Sequence, residues 1–537
     1  MKKNNPIKML DSKILELIKK RAEAYANLLE KKKKKDEPVT DSEFEANMWK
    51  VWSNFALDTG LNQRTLRTIY NLLNSLSYEF VKKEEEKIFS IKSKAKNVNI
   101  DLPGPLDVLI TKLALYFSYV HNIALKLKHV VLTDSIYDFL KASKVAGGAF
   151  SWDKETIFRE VSSKINFDKK SIYIGDDLLN LYFFLFASVI NPTICKFTGD
   201  GILKTINLKN IFSVFEQMGA RIAPLIPGSL SLPIRIEATG AINDQIILPQ
   251  EIEDEAIAAL LLTLPKFKLP KITVITKKDI KDSPIVQRVF YIFKKAAINY
   301  EHLDNKIVIH SSTISFNGIE HLVDPELTSY LLAFPIILGG QLQITGIFPE
   351  FFNDAKLFME ILRLETNDII TDAHQIRLKT KHNKKHDVVF DVKENGQLLP
   401  LALGFIFSNK SGTILNIPDE EIDFLEGFLK KFLVSFHIQD KKLFIPDTKN
   451  FSTTQVKFHA PHPRWSICAS LISTQGVEFI LENPGEITKL WPPYWTYFKS
   501  LPIINYNKLT MEKKKGDTDD TKKIRRRILV SENKKIG

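Results

Sequence analysis

The chain has 537 residues, of which 44% are hydrophobic and 26% are charged. This length predicts more than one domain, and the hydrophobic fraction excludes a disordered chain. Two cysteines, Cys195 and Cys468, are too few for a disulfide framework or a cysteine-built zinc site. The longest apolar run, 178–190, is too short to span a membrane, and the N-terminus lacks the pattern of a signal peptide. We therefore predict a soluble cytoplasmic protein without a metal ion or cofactor.

The net charge of +12 is concentrated at the two ends of the chain. Residues 1–40 and residues 507–537 each carry an excess of six positive charges, so the sequence between them is neutral. A nucleic-acid-binding domain normally has a one-sided basic face. The distribution therefore favours a solvated basic tail over a nucleic-acid site, and it predicts neither a nucleic-acid nor a membrane partner.

The first 82 residues have the pattern of a helical domain. Apolar residues at one-turn spacing predict a first helix from about Pro6 to Lys35, and Asp41 has the side chain of an N-cap for a second helix. A third helix is predicted after the break at Gly60. The charged, aromatic-poor stretch 83–97 has the composition of a linker.

Short β-rich runs recur along the next 400 residues at a spacing of roughly 65–80 residues, which is typical of repeated supersecondary units. The six runs are Val130–Thr133, Thr193–Phe197, Ile272–Ile275, Leu342–Thr345, Thr413–Leu415 and Val477–Ile480. Most follow an apolar, helix-like run, and several lead into another helix. Such units must stack to bury their faces. We therefore predict one repetitive α/β domain over 98–503 and a disordered basic tail over 504–537.

Seven stretches of this repetitive domain carry motifs in a characteristic order. They are 197–200, 215–222, 258–262, 282–284, 324–333, 339–347 and 489–495. In this order they resemble the 5-enolpyruvylshikimate-3-phosphate synthase family of enolpyruvyl (carboxyvinyl) transferases. The resemblance implies a two-lobed inverse α/β barrel of six βαβ-type repeats, preceded here by an all-α three-helix domain. It implies lobe a at 113–322 and lobe b at 98–112 plus 323–503, with the ligand between them.

The reaction of that family moves a carboxyvinyl group from phosphoenolpyruvate to a hydroxyl, which needs cations for two anions and an acid/base pair. This chain departs from the family at four motifs. The Lys expected after Pro103-Gly104 is missing, and Lys112 only approximates the Arg that follows. Three carboxylates, Glu253–Glu255, fall where the family has the Ser-Ser-Gln that holds the shikimate phosphate. Like charges there should exclude a phosphate.

Other positions of the family's site are kept. The resemblance assigns phosphoenolpyruvate binding to Arg464 and Lys489, and substrate binding to Ser283 and Lys112. Glu421 and Asp423 keep the acids of a catalytic motif that has lost both of its cations, although they also fit a surface helix start.

Three functions therefore stay open for the repetitive domain. The first is a divergent 3-phosphoshikimate 1-carboxyvinyltransferase-like protein of aromatic amino-acid biosynthesis. The second is a catalytically inactive fusion that senses ligands or scaffolds shikimate-pathway enzymes. The third is carboxyvinyl transfer to an unphosphorylated acceptor, which would explain the carboxylates at 253–255. The expected partner in each case is a small molecule similar to phosphoenolpyruvate, shikimate or chorismate.

Residues 10–21 are similar to the first helix of the all-helical chorismate mutase family. That resemblance assigns a chorismate-like site to Arg21, Lys32, Asp41, Glu45 and Ser77, whose cations would hold a dicarboxylate in a folded pose. Three further functional positions fall on Asn4, Phe44 and Val81, which cannot make the family's contacts. The alternative is a generic helical oligomerisation segment. A homodimer through the N-terminal helices is also predicted.

Overall fold

The computed structural model describes residues 6–33, 42–63, 65–67, 69–70, 73–74, 89–93, 95–161, 165–381, 386–432, 434–448 and 455–505, without the side chains of residues 8, 26, 29–33, 42–46 and 505. The chain divides into two compact units, Met1–Phe89 and Ser90–Gly537.

The first unit is helical. Helices α1 (Pro6–Lys33) and α2 (Ser42–Thr59) lie where the apolar spacing predicts them. The described residues between 63 and 74 are also helical, and the end of the predicted third helix lies outside the described residues. Tyr70 is buried and its ring packs at an angle against Trp49, with 5.7 Å between centroids.

Part of the stretch predicted to be a linker is ordered into a strand. Strand β1 (Phe89–Ile91) pairs at the edge of a three-stranded sheet, and Ile91 has no exposed surface. Phe89 and Ile91 flank Ser90, which is the alternation of apolar and polar residues typical of a strand. The disordered tail predicted over 504–537 starts inside a strand, because residues 504 and 505 belong to Ile503–Asn505, and its residues from 506 onward lie outside the described residues.

The second unit alternates strands with helices. Its further strands are β2 (Val98–Pro103), β3 (Leu125–Leu127), β4 (Phe150–Asp153), β5 (Thr156–Arg159), β6 (Ser171–Tyr173), β7 (Thr193–Thr198), β8 (Ala220–Pro224), β9 (Ile234–Ala238), β10 (Gln245–Ile247), β11 (Lys271–Ile275), β12 (Tyr300–Leu303), β13 (Lys306–His310), β14 (Gly340–Thr345), β15 (Ile370–Thr371), β16 (Gln375–Thr380), β17 (Asp387–Asp391), β18 (Ser411–Leu415), β19 (His437–Gln439), β20 (Lys442–Ile445), β21 (Val456–Phe458), β22 (Phe479–Leu481) and β23 (Ile503–Asn505). Its helices are α3 (Val108–His121), α4 (Asp134–Val145), α5 (Leu178–Ser188), α6 (Lys209–Gln217), α7 (Asp254–Thr263), α8 (Pro284–Lys295), α9 (Pro325–Leu338), α10 (Asn353–Glu365), α11 (Leu399–Ser408), α12 (Asp419–Lys430), α13 (Pro463–Ser473) and α14 (Tyr494–Ser500).

The same strand order recurs in three of the sheets. The orders are β6-β7-β9-β8, β10-β11-β13-β12 and β17-β18-β20-β19. In each, the first two strands are parallel and a central helix connects them, and the last two form an antiparallel hairpin after an outer helix. The mixed α/β architecture that the sequence predicts is therefore confirmed.

The sheet β15-β16-β14-β2-β23 joins the start of the domain to its end. Ile100 on β2 pairs in parallel with Leu342 on β14 and with Ile504 on β23. Residues 98–103 thus lie with the C-terminal half of the domain. Helix α3 continues across position 112/113, the predicted lobe boundary, and packs against α7 and α8.

The central helices of this unit are buried on all sides. Residues 179–188 of α5 are all buried, as are all fourteen residues of α9. A helix that is apolar all round belongs inside a core, and this explains the apolar run 178–190. Among the described residues, no helix is long and apolar enough to cross a membrane.

Five of the six predicted β-rich runs overlap strands, but the first does not. Val130–Thr133 forms only an isolated bridge, between Val130 and Leu106. The nearest strand is β3, which ends at Leu127. Thr133 is instead the N-cap of α4, and its hydroxyl accepts a hydrogen bond from the backbone N–H of Ile136.

Candidate functional site

Two chain segments that connect the halves of the domain run antiparallel at its centre. The N–H of Asp107 donates to the carbonyl of Leu322, and the N–H of Asp324 donates to the carbonyl of Pro105, at 2.9 and 2.8 Å. A Cβ at Gly104 would collide with the side chain of Val323, so glycine is needed for this close approach. The N-termini of α3 and α9 therefore lie side by side.

Each of these two helices begins with a buried aspartate. Asp107 Oδ1 accepts from the N–H of Ile110, and Asp324 Oδ1 accepts from the N–H of Leu327, so both residues are N-caps. The second oxygen of Asp324 accepts from the N–H of Val108. Burial, with the Asp107 carboxylate as the next cause, raises the pKa of Asp324 to about 7, although two backbone N–H donors oppose the shift.

The second oxygen of Asp107 binds Arg288, which is only 1% exposed. Arg288 Nη2 is 2.7 Å from Asp107 Oδ2 and 3.0 Å from Asp354 Oδ2, and its guanidinium lies 4.3 Å from the ring centre of Phe352. The guanidinium on α8 thus ties the start of α3 to the start of α10. Both of its carboxylate partners belong to the chain itself, so none of these contacts requires a ligand.

Arg464, predicted to bind phosphoenolpyruvate, is also held by a carboxylate of the chain. Its Nε and Nη2 atoms lie 2.5 and 2.9 Å from the two oxygens of Glu326, in a bidentate pair between the first turns of α13 and α9. Burial opposes the charge of Arg464, but Glu326 more than offsets it, so the pKa of Arg464 lies above its usual value. Glu326 thus holds the Nε/Nη2 edge of this planar guanidinium and neutralises its charge, which leaves only the edge formed by Nη1 and Nη2 for a ligand carboxylate.

Glu421, predicted to be catalytic, lies against a histidine. Its two oxygens bind His462 Nε2 at 2.9 Å and Trp465 Nε1 at 3.0 Å. The hydrogen bond from His462 is the main reason why the pKa of Glu421 is lowered, against the effect of burial. His462 Nδ1 is buried without a hydrogen-bond partner in the described part of the chain. Asp423 is exposed and lies two residues along α12 from Glu421, so the structure does not bring the two acids together.

The remaining predicted substrate-binding residues lie in two places. Lys112 and Ser283 line an open cleft of about 530 Å³ together with the acidic segment Glu253–Glu255. Lys112 Nζ is 2.7 and 2.8 Å from the two oxygens of Asp177. Lys489 lies apart from this cleft, with 56% of its side chain exposed, and pairs with Glu486 at 2.8 Å.

The predicted chorismate-like site is described only in part. Arg21 Nη2 donates to Asn74 Oδ1 at 2.7 Å, and its guanidinium lies 5.6 Å from the ring centre of Tyr70. Arg21 Nη1 is buried without a hydrogen-bond partner among the described residues. Lys32 and Glu45 belong to α1 and α2, but their side chains lie outside the described part, as do Asp41 and Ser77 entirely.

Sequence reasoning missed Arg288, and it missed the carboxylates that pair with Arg288 and Arg464. Arg288, Asp354 and Glu326 carry no motif of their own, and each is far in sequence from its partner; Glu326 is 138 residues from Arg464. The one available signal was Asp107, a carboxylate where the resemblance leads one to expect a Lys-Ser pair.

The fold is similar to solved enolpyruvyl transferases. A structure of EPSP synthase from Acinetobacter baumannii aligns with a TM-score of 0.60 at 13% identity, covering 75% of this chain and 96% of that one. The enolpyruvyl transferase NikO from Streptomyces tendae aligns with a TM-score of 0.58 at 11% identity, covering 76% and 95%. At such identities these likenesses show the fold.

The sequence defines the family. Residues 139–496 match the family described as EPSP synthase (3-phosphoshikimate 1-carboxyvinyltransferase), and the chain belongs to that family. Residues 4–82 match chorismate mutase type II, so a chorismate mutase-type domain is fused to an EPSP synthase-like domain.

Relatives named 3-phosphoshikimate 1-carboxyvinyltransferase align at low identity. That of Buchnera aphidicola subsp. Baizongia pistaciae is 24% identical over 423 residues, which cover 75% of this chain and 96% of the relative. That of Photobacterium damsela subsp. piscicida is 21% identical over 421 residues, covering 75% and 97%.

Proposed function

We propose that the EPSP synthase-like domain does not transfer a carboxyvinyl group to 3-phosphoshikimate, and that it acts as a ligand-sensing or scaffolding partner in the shikimate pathway. The observation that carries this proposal is the bidentate pair between Arg464 and Glu326. A carboxylate of the chain occupies one edge of the guanidinium that the family resemblance assigns to phosphoenolpyruvate, and it neutralises the charge of that group. Lys112 is neutralised by Asp177 in the same manner.

A steady-state assay of phosphate release tests this proposal. With 3-phosphoshikimate and phosphoenolpyruvate as substrates, we expect the full-length chain to release phosphate no faster than a heat-denatured sample. Release above that background, abolished by Arg464→Ala and by Lys489→Ala, would refute the proposal.

A second candidate function is divergent carboxyvinyl transfer to an unphosphorylated acceptor. The pair formed by Glu421 and His462 favours it, because a carboxylate that orients an imidazole is a suitable acid/base group for protonating a methylene carbon. Calorimetric titration with phosphoenolpyruvate alone, followed by addition of shikimate, tests it. Heat at millimolar phosphoenolpyruvate, and phosphate release that Glu421→Gln abolishes, would favour this candidate over the first.

For the N-terminal domain we propose a chorismate-type ligand held by Arg21. The support is the buried Nη1 atom, which keeps a donor available while Asn74 holds the other end of the guanidinium. Lys32, Asp41, Glu45 and Ser77 complete the proposed site on the strength of the family resemblance. Consumption of chorismate by the full chain, lost in Arg21→Ala, is the expected result; equal consumption by both proteins would refute the assignment.

We also propose that the chain dimerises through its N-terminal helices. Ile7, Leu10, Ile14 and Leu17 recur at helical spacing on α1, and each is more than half exposed. A second copy that covers this apolar stripe would remove it from water. Sedimentation of the full chain at twice the monomer mass, reverting to monomer in Ile14→Glu, is expected, whereas a monomeric wild-type chain would refute dimerisation.

The domain limits belong to the proposal too: a helical domain over 1–82, a connection over 83–97, and an enolpyruvyl transferase-like domain over 98–503. Lobe a would span 113–322, and lobe b 98–112 with 323–503. Limited proteolysis should cut first between 83 and 88 and after 505. A first cut inside 98–503 would contradict these limits. The cytoplasmic location remains a prediction.

A further inference from the structure

The cleft that the family resemblance assigns to a phosphate has acidic walls. It is lined by the starts of three helices: Asp177 is the N-cap of α5, Glu253 of α7 and Ser283 of α8. Helix N-termini stabilise carboxylates, so helix capping alone could account for these acids. Asp177 does cap its helix, through the N–H of Asn180, but Glu253 makes no side-chain hydrogen bond to the helix it precedes. Capping therefore leaves part of the cluster unexplained.

The cations of the cleft neutralise only half of its carboxylates. Lys112 pairs with Asp177, and Lys278 forms a close ion pair with Asp254. Glu253 and Glu255 are in no ion pair within the described part of the chain, although the Tyr182 hydroxyl shares a hydrogen bond with Glu253. Burial raises the pKa of Glu255, a hydrogen bond from its own backbone N–H opposes this shift, and the neighbouring carboxylates raise the pKa further. Negative charge is thus in excess in a space of about 530 Å³.

A buried hydroxyl in the same cleft also lacks a partner. Ser283 is 8% exposed, and its Oγ forms no hydrogen bond with any described residue. Unlike most serines that precede a helix, it does not cap α8. A buried polar atom is normally satisfied, so an unpaired one beside a cleft indicates a ligand.

We infer that this cleft binds a small organic ammonium ion, whose N–H groups donate to Glu253, Glu255 and the Oγ of Ser283. A metal ion fits less well, because no three acid, histidine or cysteine side chains are placed to hold one anywhere in the described residues. An ammonium ion needs no closed coordination shell; it matches two carboxylates and one hydroxyl by hydrogen bonds. The inference rests on the proposed ligand-sensing function of the same domain.

Calorimetric titration of the full chain tests the inference with matched probes. Glucosamine is compared with glucose, and putrescine with butanediol, because each pair differs chiefly in its ammonium groups. We expect at least one amine to bind about tenfold more tightly than its neutral counterpart, the factor typical of a charge-assisted hydrogen bond. If neither amine binds better than its counterpart, or if inorganic phosphate binds in competition with the amine, the inference is wrong.

Variants locate the site. Glu255→Gln should weaken amine binding about tenfold, whereas Glu251→Gln, an equal charge change on an exposed residue outside the cleft, should leave it unchanged. Equal binding by both variants would place the amine elsewhere and refute the inference. The phosphate-release assay is independent: amine binding without phosphate release supports both proposals, and phosphate release overturns the proposed function whether or not an amine binds.

Discussion

The arginines of the two units differ in their partners; Arg288 is buried, and Arg21 and Arg464 are half-buried. In the N-terminal unit, Arg21 contacts a neutral amide and aromatic rings, and it is in no ion pair with any described residue. In the second unit, Arg288 and Arg464 are each bound to carboxylates of the chain. A cation that already has its counter-ion stabilises structure, whereas one that lacks it is ready for an anionic ligand. Under the proposals made above, we therefore expect an anionic ligand to bind in the N-terminal unit.

Fold stability does not by itself call for these internal pairs. Replacing a buried ion pair by apolar residues of similar volume is often neutral or stabilising, while removing one partner is strongly destabilising. Under the proposed function, the Glu326 carboxylate takes the place of a ligand charge beside Arg464, whereas Asp107 is already accounted for as the N-cap of α3.

The largest effect is expected from breaking the central ion cluster. Arg288→Met leaves Asp107 and Asp354 without their shared cation, and Asp107 is only 1% exposed. We expect the free energy of unfolding, measured with urea, to fall by about 3–5 kcal/mol. Lys356→Met, at an exposed lysine of α10, should change it by less than about 0.5 kcal/mol. A loss below 1 kcal/mol in Arg288→Met would show that the cluster is not structural, and the comparison would fail.

The second prediction concerns the pH dependence of the same cluster. The pKa of Asp324 is raised to about 7 by burial and by Asp107. The folded state therefore holds this proton more tightly than the unfolded state, and the resulting stability is complete below the ordinary aspartate pKa and is lost as pH rises toward 7. Between about pH 4 and 7, the free energy of unfolding of the wild type should fall by roughly 1 kcal/mol per pH unit because of Asp324. In Asp324→Asn this fall should be absent.

Urea unfolding of both proteins across this range measures that difference. Asp368→Asn, at an exposed carboxyl, serves as the control and should leave the wild-type slope unchanged. If the free energy of unfolding changes with pH equally in Asp324→Asn and in the wild type, Asp324 is ionised in the folded protein over the whole of this pH range, and the prediction is wrong.

How far sequence alone reaches can be judged from these residues. The helices and most strands follow from apolar spacing, as in the runs at 193–197 and 413–415, because local pattern decides which face is buried. The site does not follow in this way. Glu326 and Arg464 are 138 residues apart in the sequence and come into contact only in the folded domain. The local sequence around either residue does not indicate which distant residue will pair with it. The sequence did show three carboxylates at 253–255, where the family has Ser-Ser-Gln, and it showed that cations of the family's motifs are missing. The structure places the three carboxylates along the cleft.

The third prediction releases an occupied arginine. In Glu326→Gln the side chain keeps its shape but loses its charge, so Arg464 regains an uncompensated guanidinium. We expect the affinity for phosphoenolpyruvate, measured by calorimetry, to rise about tenfold over the wild type. Glu360→Gln, at an exposed position of α10, should leave the affinity unchanged. If the wild type already binds phosphoenolpyruvate as tightly as Glu326→Gln does, Glu326 does not block the site.

The smallest effect on stability is expected in the N-terminal unit, at Arg21. Because Arg21 has no ion-pair partner among the described residues, Arg21→Met removes one hydrogen bond to Asn74 and should lower the free energy of unfolding by only about 1 kcal/mol. The effect of Arg21→Met on ligand binding should be larger: the affinity for chorismate, measured by calorimetry, should fall at least about tenfold.

Arg67→Met is the matched control. Arg67 also lies over an aromatic ring, that of Trp49 at 4.4 Å, but it has no role in the proposed site. Arg288 would then contribute chiefly to stability, whereas Arg21 would contribute chiefly to ligand binding. Equal losses of affinity in Arg21→Met and Arg67→Met would show that Arg21 is a packing residue, and the two units would not differ in the way proposed.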